Sequence, residues 1–350
     1  MNANLIGGTG PVLQRDCDTV PPEGIAPGED GVLLLGIDIG GTKVVLAVGD
    51  DEGRTLASIR RPMPLSGDWR ADLDALVGEA RSLLAEAGVD DGALQRIGVS
   101  VPGPVDPTAG VLINPPNLPG WRDVPVGAHL GEALGASTRI ENDANAAALA
   151  EARFGAGQGV DDLVYLTMST GVGGGVISGG RLVHGAFGAA GEPGHMPIVP
   201  DGRVCACGLR GCLEAYTGGN AWRDHLRGIA PTDSDAVARA GGDPAALLPE
   251  HVVEAARAGD PWANEVFGRW LDDLAQGIAA IVMLLEPRRI VLGTIAVAAG
   301  EALCFAPLRE RLAARLWSQQ AERLEVVPAA LGRTMPERAG FAVALEPAVR

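Results

Sequence analysis

Twice along this chain an apolar strand runs into a cluster of glycines and leaves as a second apolar run. The first copy is Leu33-Leu34-Leu35-Gly36-Ile37-Asp38, a turn at Gly40-Gly41-Thr42-Lys43, and a strand Val44–Val48. The second is a strand Leu163–Met168, a glycine turn Thr170–Gly175, a strand Val176–Ser178 and a further turn at Gly179-Gly180. A hairpin opening used twice is a weak internal repeat. It restricts the chain to folds with two α/β halves. Around it, Asp72–Ala87 has amphipathic helix spacing, Ile97–Val101 is strand-like, and Asn145–Phe154 is an Ala-rich helix. Later come helices Trp262–Leu285 and Glu301–Ala321, a buried strand Arg289–Leu292 and a last helix about Pro336–Leu345. The order predicts two α/β domains facing each other across a cleft. Residues 1–31, rich in Pro, Gly and acidic side chains, are expected to be a flexible tail.

Composition excludes several alternatives. At roughly 100–200 residues per domain, 350 residues suggest two domains, and 47% hydrophobic residues supply their cores. Glycine, at 50 residues, is twice the ~7% of average usage; it shows no three-residue period, so the excess belongs to turns. A formal charge of −16 repels phosphate backbones and anionic lipid, so neither nucleic acid nor membrane is expected as a partner. No basic segment followed by an apolar core opens the chain, and apolar runs such as Ile278–Leu285 fall short of the ~20 residues that span a bilayer. Five cysteines, an odd number with three inside eight residues, do not resemble a secreted disulfide framework. The expected compartment is a reducing cytoplasm.

The glycine turns allow backbone N–H groups to approach a polyphosphate, and Thr42 and Lys43 add a hydroxyl and a charge. The first is not a Walker A loop, because Thr precedes Lys, and it does not read as G-x-G-x-x-G. A lone Gly-Gly is usually an ordinary hairpin turn. Two such turns at matching places, with Gly40, Gly41, Thr42 and Lys43 in one and Thr170, Gly171 and Gly173 in the other, suit two jaws on one triphosphate.

Glu141-Asn142-Asp143-Ala144-Asn145 stands between strand-like Thr138–Ile140 and the Ala-rich helix. Asn or Asp there serves as an N-cap, yet one cap suffices where four of five residues are polar. A carboxylate at that junction suits accepting the proton of an attacking hydroxyl. Further on, His195 is followed by Cys205-Ala206-Cys207 and then Cys212. One His and three Cys around Gly208 and Gly211 match a closed structural Zn²⁺ site; buried thiols or a local disulfide are the alternatives. Cys17 and Cys304 stand apart from the cluster. Glu192 and Glu214 flank the His/Cys cluster and could accept hydrogen bonds from a polyol, as could Asn117 within Asn114-Pro115-Pro116-Asn117-Leu118-Pro119-Gly120-Trp121.

Gly-Ile-Asp-Ile-Gly-Gly-Thr-Lys, Glu-Asn-Asp-Ala-Asn, Gly-Glu-Pro-Gly-His and Cys-Ala-Cys-Gly-Leu-Arg-Gly-Cys-Leu-Glu-Ala-Tyr occur in that order. From about Leu33 to the C-terminus the chain resembles the ROK family of sugar kinases and sugar-responsive repressors, in the actin/hexokinase superfamily. The Asn-Leu-Pro-Gly-Trp and Cys-Leu-Glu-Ala-Tyr segments are most similar to its bacterial glucokinase branch. The resemblance implies a two-domain actin-like ATPase (ribonuclease H-like) fold. It divides the chain into a small domain, 32–141 plus the C-terminal helix 336–350, and a large domain, 142–335, carrying the zinc loop. It implies Asp143 as catalytic base, with Asn117, Asn142, Asp143, Glu192, His195 and Glu214 holding the sugar. It also implies zinc on His195, Cys205, Cys207 and Cys212, and Asp38 orienting the Mg²⁺ of ATP. One departure stands out: after Arg289–Leu292 the family shows a Gly-Gly-Gly-type turn near the adenosine, and here the residues are Gly293-Thr294-Ile295-Ala296.

The expected activity is ATP-dependent phosphorylation of the primary hydroxyl of a hexose, glucose to glucose 6-phosphate. The alternatives are a kinase for N-acetylmannosamine, fructose or a natural-product cyclitol, and a sugar-responsive repressor. The repressor needs a basic helix-turn-helix ahead of the core, and the 31 residues before Val32 carry no such pattern. A homo-oligomer, dimer or tetramer, is expected from the resemblance.

Overall fold

The computed structural model describes residues 31–347 apart from position 91. The expected tail therefore lies outside the described residues but for Gly31, as do the last three positions of the expected C-terminal helix.

Leu34–Ile39 (β1), Lys43–Gly49 (β2) and Thr55–Pro62 (β3) form an antiparallel meander. Trp69–Glu86 (α1) leads back to Arg96–Val101 (β4), parallel to β1. A small hairpin, Val105–Asp106 (β5) with Val111–Leu112 (β6), and the helix Val126–Leu134 (α2) precede Ser137–Asn142 (β7), which is parallel to β4. The sheet order is β3-β2-β1-β4-β7. Asp143–Phe154 (α3) follows β7 directly.

The second sheet repeats the plan. Leu163–Met168 (β8), Val172–Ser178 (β9) and Arg181–Leu182 (β10) are antiparallel neighbours. A helical excursion follows through Glu214–Thr217 (α4), Gly219–Ile229 (α5), Asp235–Arg239 (α6), Pro249–Arg257 (α7) and Pro261–Leu285 (α8). Arg289–Thr294 (β11) then adds parallel to β8. Beyond Ile295–Gly300 (α9), Ala306–Ala313 (α10) and Ser318–Arg323 (α11), Glu325–Pro328 (β12) adds parallel to β11. The order β10-β9-β8-β11-β12 matches the first sheet strand for strand. The hairpin repeat read from sequence is a repeat of topology. Met335–Leu345 (α12) is the last element.

β1, β2 and β4 are buried along almost their whole length because both faces of their sheet are covered. Leu35, Ile37 and Leu46 pack with Leu73 and Leu76 of α1 and Leu130 of α2, while Leu34 and Ala47 pack with Phe341 of α12. The α12 face works through glycine: a Cβ on Gly98 would collide with the Gly340 carbonyl, and one on Gly340 with Gly36. α3 lies on the second sheet, and its Ala146, Leu149 and Ala150 meet Ala339, Ala342 and Val343 of α12. The opposite face of that sheet is covered by Phe267, Trp270, Leu274 and Ile278 of α8.

Two expectations need correction. The glycine turn Thr170–Gly175 is shorter than the sequence implies: Gly173, Gly174 and Gly175 belong to β9. They are small because α3 and Pro193 press on the strand, and a Cβ on Gly175 would lie 2.6 Å from that of Ala148. The single helix expected over Glu301–Ala321 is broken into a π-turn at Glu301–Phe305, α10 and α11. Pro307 has no N–H to continue a ladder, and Trp317 takes an extended backbone with ψ 145°.

Candidate active site

Both hairpin turns and the N-terminus of α3 open onto one cavity of about 520 Å³. On its first-sheet side stand Asp38, at the end of β1, Gly40 and Asn117. On its second-sheet side stand Thr170, Gly171, Gly173, Glu192, His195 and Glu214, with Asp143 between the two walls. Of the residues singled out in sequence for sugar or nucleotide, four are not on the wall. Gly41 backs Asn117, where a Cβ would meet the Asn117 Cβ at 3.0 Å. Thr42 and Lys43 are exposed, the Thr42 carbonyl accepting from Met63 N–H (3.0 Å). Asn142 caps α3, its Oδ1 accepting from the N–H groups of Ala144 (2.9 Å) and Asn145 (3.3 Å).

That cap leaves Asp143 as the first helical residue, with its side chain open to the cleft. Its Oδ1 accepts from Ala144 N–H at 2.8 Å. The cavity walls strip it of bulk solvent, and this desolvation raises its pKa above the ordinary carboxylate value despite the hydrogen bonds. Asp38 is raised for the same reason, with repulsion from Asp143 adding to it and a 2.6 Å hydrogen bond from Ser100 Oγ opposing it. Two desolvated carboxylates that repel each other in one cavity fit a divalent cation carried in with a polyphosphate.

Behind the cavity, His195, Cys205, Cys207 and Cys212 bring their ligand atoms within 4.8 Å of one another. Cys205 Sγ is 3.8 Å from His195 Nδ1, and Cys207 Sγ is 3.8 Å from Cys212 Sγ. A tetrahedral site with ~2.3 Å metal–sulfur bonds has edges of about 3.8 Å, so the donor set fits Zn²⁺ with its shell closed. His195 belongs to both places, a cluster ligand and part of the cavity wall. Glu214 Oε2 accepts from Val172 N–H (2.9 Å) and its Oε1 lies 3.4 Å from Cys205 Sγ, so it ties the Cys loop to the second hairpin. Burial raises the Glu192 carboxyl, with the nearby His195 opposing the shift.

Sequence reasoning missed several wall residues. Ser100 and Thr167 were visible as polar interruptions of the apolar strands Ile97–Val101 and Leu163–Met168. Met335, Pro336 and Ala339 of α12 also line the cavity, and no local pattern announces them. The departure after β11 has a structural meaning: Thr294 stands at φ 47° and ψ −107°. That left-handed region favours glycine and costs a β-branched residue strain. Its Oγ1 lies 3.3 Å from Thr167 Oγ1.

The model of the ROK family matches residues 34–346. The chain belongs to the ROK family. Glucokinase of Thermotoga maritima is 35% identical over 300 residues, 85% of this chain and 92% of that one. N-acetylmannosamine kinase of Escherichia coli O157:H7 is 36% identical over 259 residues, 74% and 81% of the two chains. A ROK glucokinase from Streptomyces griseus, solved with glucose and AMPPNP, superposes with a TM-score of 0.71 at 32% identity, covering 90% of this chain and 99% of that one. The ROK fold expected from the motifs, the actin-like ATPase α/β fold, is the one observed. Among the described residues, no helix of this ROK protein is long and apolar enough to cross a membrane.

Proposed function

We propose that this chain is an ATP-dependent sugar kinase that phosphorylates the primary hydroxyl of a hexose, with glucose as the preferred acceptor. The observation that supports the reading is that Asp143 lines one cavity together with Asn117, Glu192, His195 and Glu214 and with Gly40, Thr170 and Gly171 of the two hairpin turns. Phosphoryl transfer asks little covalent chemistry of a protein; it asks for positioning and charge neutralisation. Asn117, Glu192, His195 and Glu214 orient the sugar through its hydroxyls. Asp143 accepts the proton of the attacking hydroxyl, and its raised pKa makes it a stronger base than an ordinary carboxylate. The backbone of the turns at Gly40 and at Thr170-Gly171 holds the phosphates of ATP, and Asp38 holds the Mg²⁺ that accompanies them. Mg²⁺, when bound, neutralises charge on the transferring phosphoryl group.

Zinc on His195, Cys205, Cys207 and Cys212 is structural in this reading. It leaves one His195 ring nitrogen for a sugar hydroxyl and fixes the loop that carries Glu214. A coupled ADP-release assay over glucose, N-acetylmannosamine, fructose and cyclitols tests the proposal. Glucose is expected to give the highest kcat/KM. Release of ADP with none of them overturns the kinase reading, and a clear preference for N-acetylmannosamine replaces glucose as the acceptor.

A further inference from the structure

Outside the cavity wall, the described structure holds an acid–imidazole pair, a buried carboxylate and a half-buried imidazole, that the proposed chemistry leaves unused. His184, just past β10, places Nε2 2.7 Å from Glu141 Oε2 at the end of β7. Glu141 is 4% exposed. Its other oxygen accepts from the Asn142 N–H at 2.9 Å and from Asn145 Nδ2 at 3.0 Å. Every hydrogen bond of this carboxylate therefore ends either on the strand-to-helix turn that presents Asp143 or on His184.

His184 leads in the other direction as well. Its carbonyl accepts from Ala190 N–H at 3.1 Å and so closes the loop between them. The chain leaves that loop through Gly191, at φ 83°, directly into Glu192. Gly191 sits against Asn145, whose Oδ1 is 3.6 Å from where a Cβ would stand. His195 N–H in turn donates to the Glu192 carbonyl (3.1 Å). One contact, His184 to Glu141, thus joins the base of the arm carrying Glu192 and His195 to the turn carrying Asn142 and Asp143.

We infer that His184 and Glu141 are a positioning pair that sets the distance between the proton acceptor Asp143 and the sugar-holding arm. The inference rests on the kinase reading above. The two residues come from different sheets, one from the edge strand of the first and one from the edge hairpin of the second. Neither lines the cavity, so they act through the groups they hold. The hydrogen bond to Glu141 keeps the His184 pKa above its ordinary value against the pull of burial, with Glu346 contributing. The contact is therefore charge-assisted over a wider pH range than a free imidazole would allow. A buried ion pair is weak evidence for stability, and here its geometry favours register over stability.

The test compares His184→Leu with His184→Gln, which keeps an N–H donor, in wild-type background. It measures kcat, the KM for glucose, the KM for ATP and the melting temperature. Misplacing a reacting group by about 1 Å can cost 10²-fold. His184→Leu is expected to lower kcat/KM for glucose by at least about tenfold, in line with that sensitivity, and to leave the KM for ATP unchanged. His184→Gln should recover most of the loss. A folded His184→Leu enzyme with wild-type constants overturns the pair. So does a Gln variant as impaired as the Leu one, or an ATP KM that rises with the glucose KM. If His184→Leu does not fold, Glu141→Gln carries the same expectation and the same refutation. Wild-type protein that phosphorylates no sugar takes down the kinase reading itself, an outcome distinct from an active wild type with an indifferent His184.

Discussion

Glu151, in the last turn of α3, is 0% exposed, and its carboxylate serves only backbone donors. Oε2 accepts from Ala156 N–H at 2.7 Å, and Oε1 accepts from Ala330 and Leu331, each at 3.0 Å. These bonds clamp the segment before α12 onto α3. Glu151→Gln keeps the shape, removes the charge and turns one acceptor into a donor. Whichever way the amide faces, at least one backbone N–H is left opposite an N–H. Losing one hydrogen bond to a charged group costs about 1.5–3 kcal/mol, and the surviving bonds weaken to neutral strength by roughly 1 kcal/mol more. The expected loss is about 2.5–4 kcal/mol, which at roughly 1.4 °C per kcal/mol for a chain of 350 residues lowers the melting temperature by roughly 3–6 °C. Scanning calorimetry without ligand reads it. A melting temperature within ~2 °C of wild type would refute the account, because the N–H groups would then be satisfied some other way.

Asp143→Asn keeps an acceptor for Ala144 N–H but cannot take a proton; turnover should fall by at least ~10²-fold with glucose binding largely intact, and near-normal turnover in a folded variant would remove Asp143 as the base. Because desolvation in the cleft raises the Asp143 pKa, the folded state disfavours its ionised form, so stability falls as pH rises from the ordinary carboxylate value through the raised one and the cost is fully present above it. Asp143→Asn should therefore melt above wild type at neutral pH, and equally with it in acid where the carboxyl is protonated. In wild type, kcat/KM should fall as pH drops through the same raised pKa, with an acid limb above the ordinary carboxylate range; activity that stays flat down into that range would count against it. Metal analysis should find about one zinc per chain, as a closed four-ligand site implies. Cys207→Ser should lose that zinc, melt lower and raise the glucose KM more than the ATP KM, whereas full activity in zinc-free protein would leave the cysteines as plain thiols. Gly98→Ala puts a methyl into the Gly340 carbonyl; overpacking of this kind costs about 1–3 kcal/mol, and an unchanged melt would mean that α12 yields freely.

What could be read from sequence was whatever has a local cause. The hairpins at β1–β2 and β8–β9 announced themselves because the strands are buried on both faces and the turns need small residues. The α3 junction was legible because a helix cap and a carboxylate beside a cavity both call for polar residues, here Asn142 and Asp143. Gly173–Gly175 misled because glycine marks both a turn and a strand pressed by a helix, and only the distant Ala144, Ala148 and Pro193 distinguish the two. β3 escaped notice as an edge strand carrying Arg60 and Arg61, and β12 as four residues ending in Pro328. Partners such as Glu151 and Ala330, or Glu141 and His184, are separated by long stretches of chain. Nothing in either neighbourhood signals the other.

The packing of α3 and α12 has a consequence for how the chain is made. β7 completes the first sheet at Asn142, yet α12, which covers one face of that sheet, begins only at Met335. On the ribosome the nascent first sheet waits about 10–40 s, at ordinary synthesis rates, for the helix that will cover it. Throughout that interval the face bearing Gly36, Ala47 and Gly98 is bare, and α3 emerges ahead of β8 and β9, the strands it packs on. The first half is thus the earlier to emerge and the later to finish. A ribosome stalled anywhere between Asn142 and Met335 should hold a chain that chaperones bind and proteases cut.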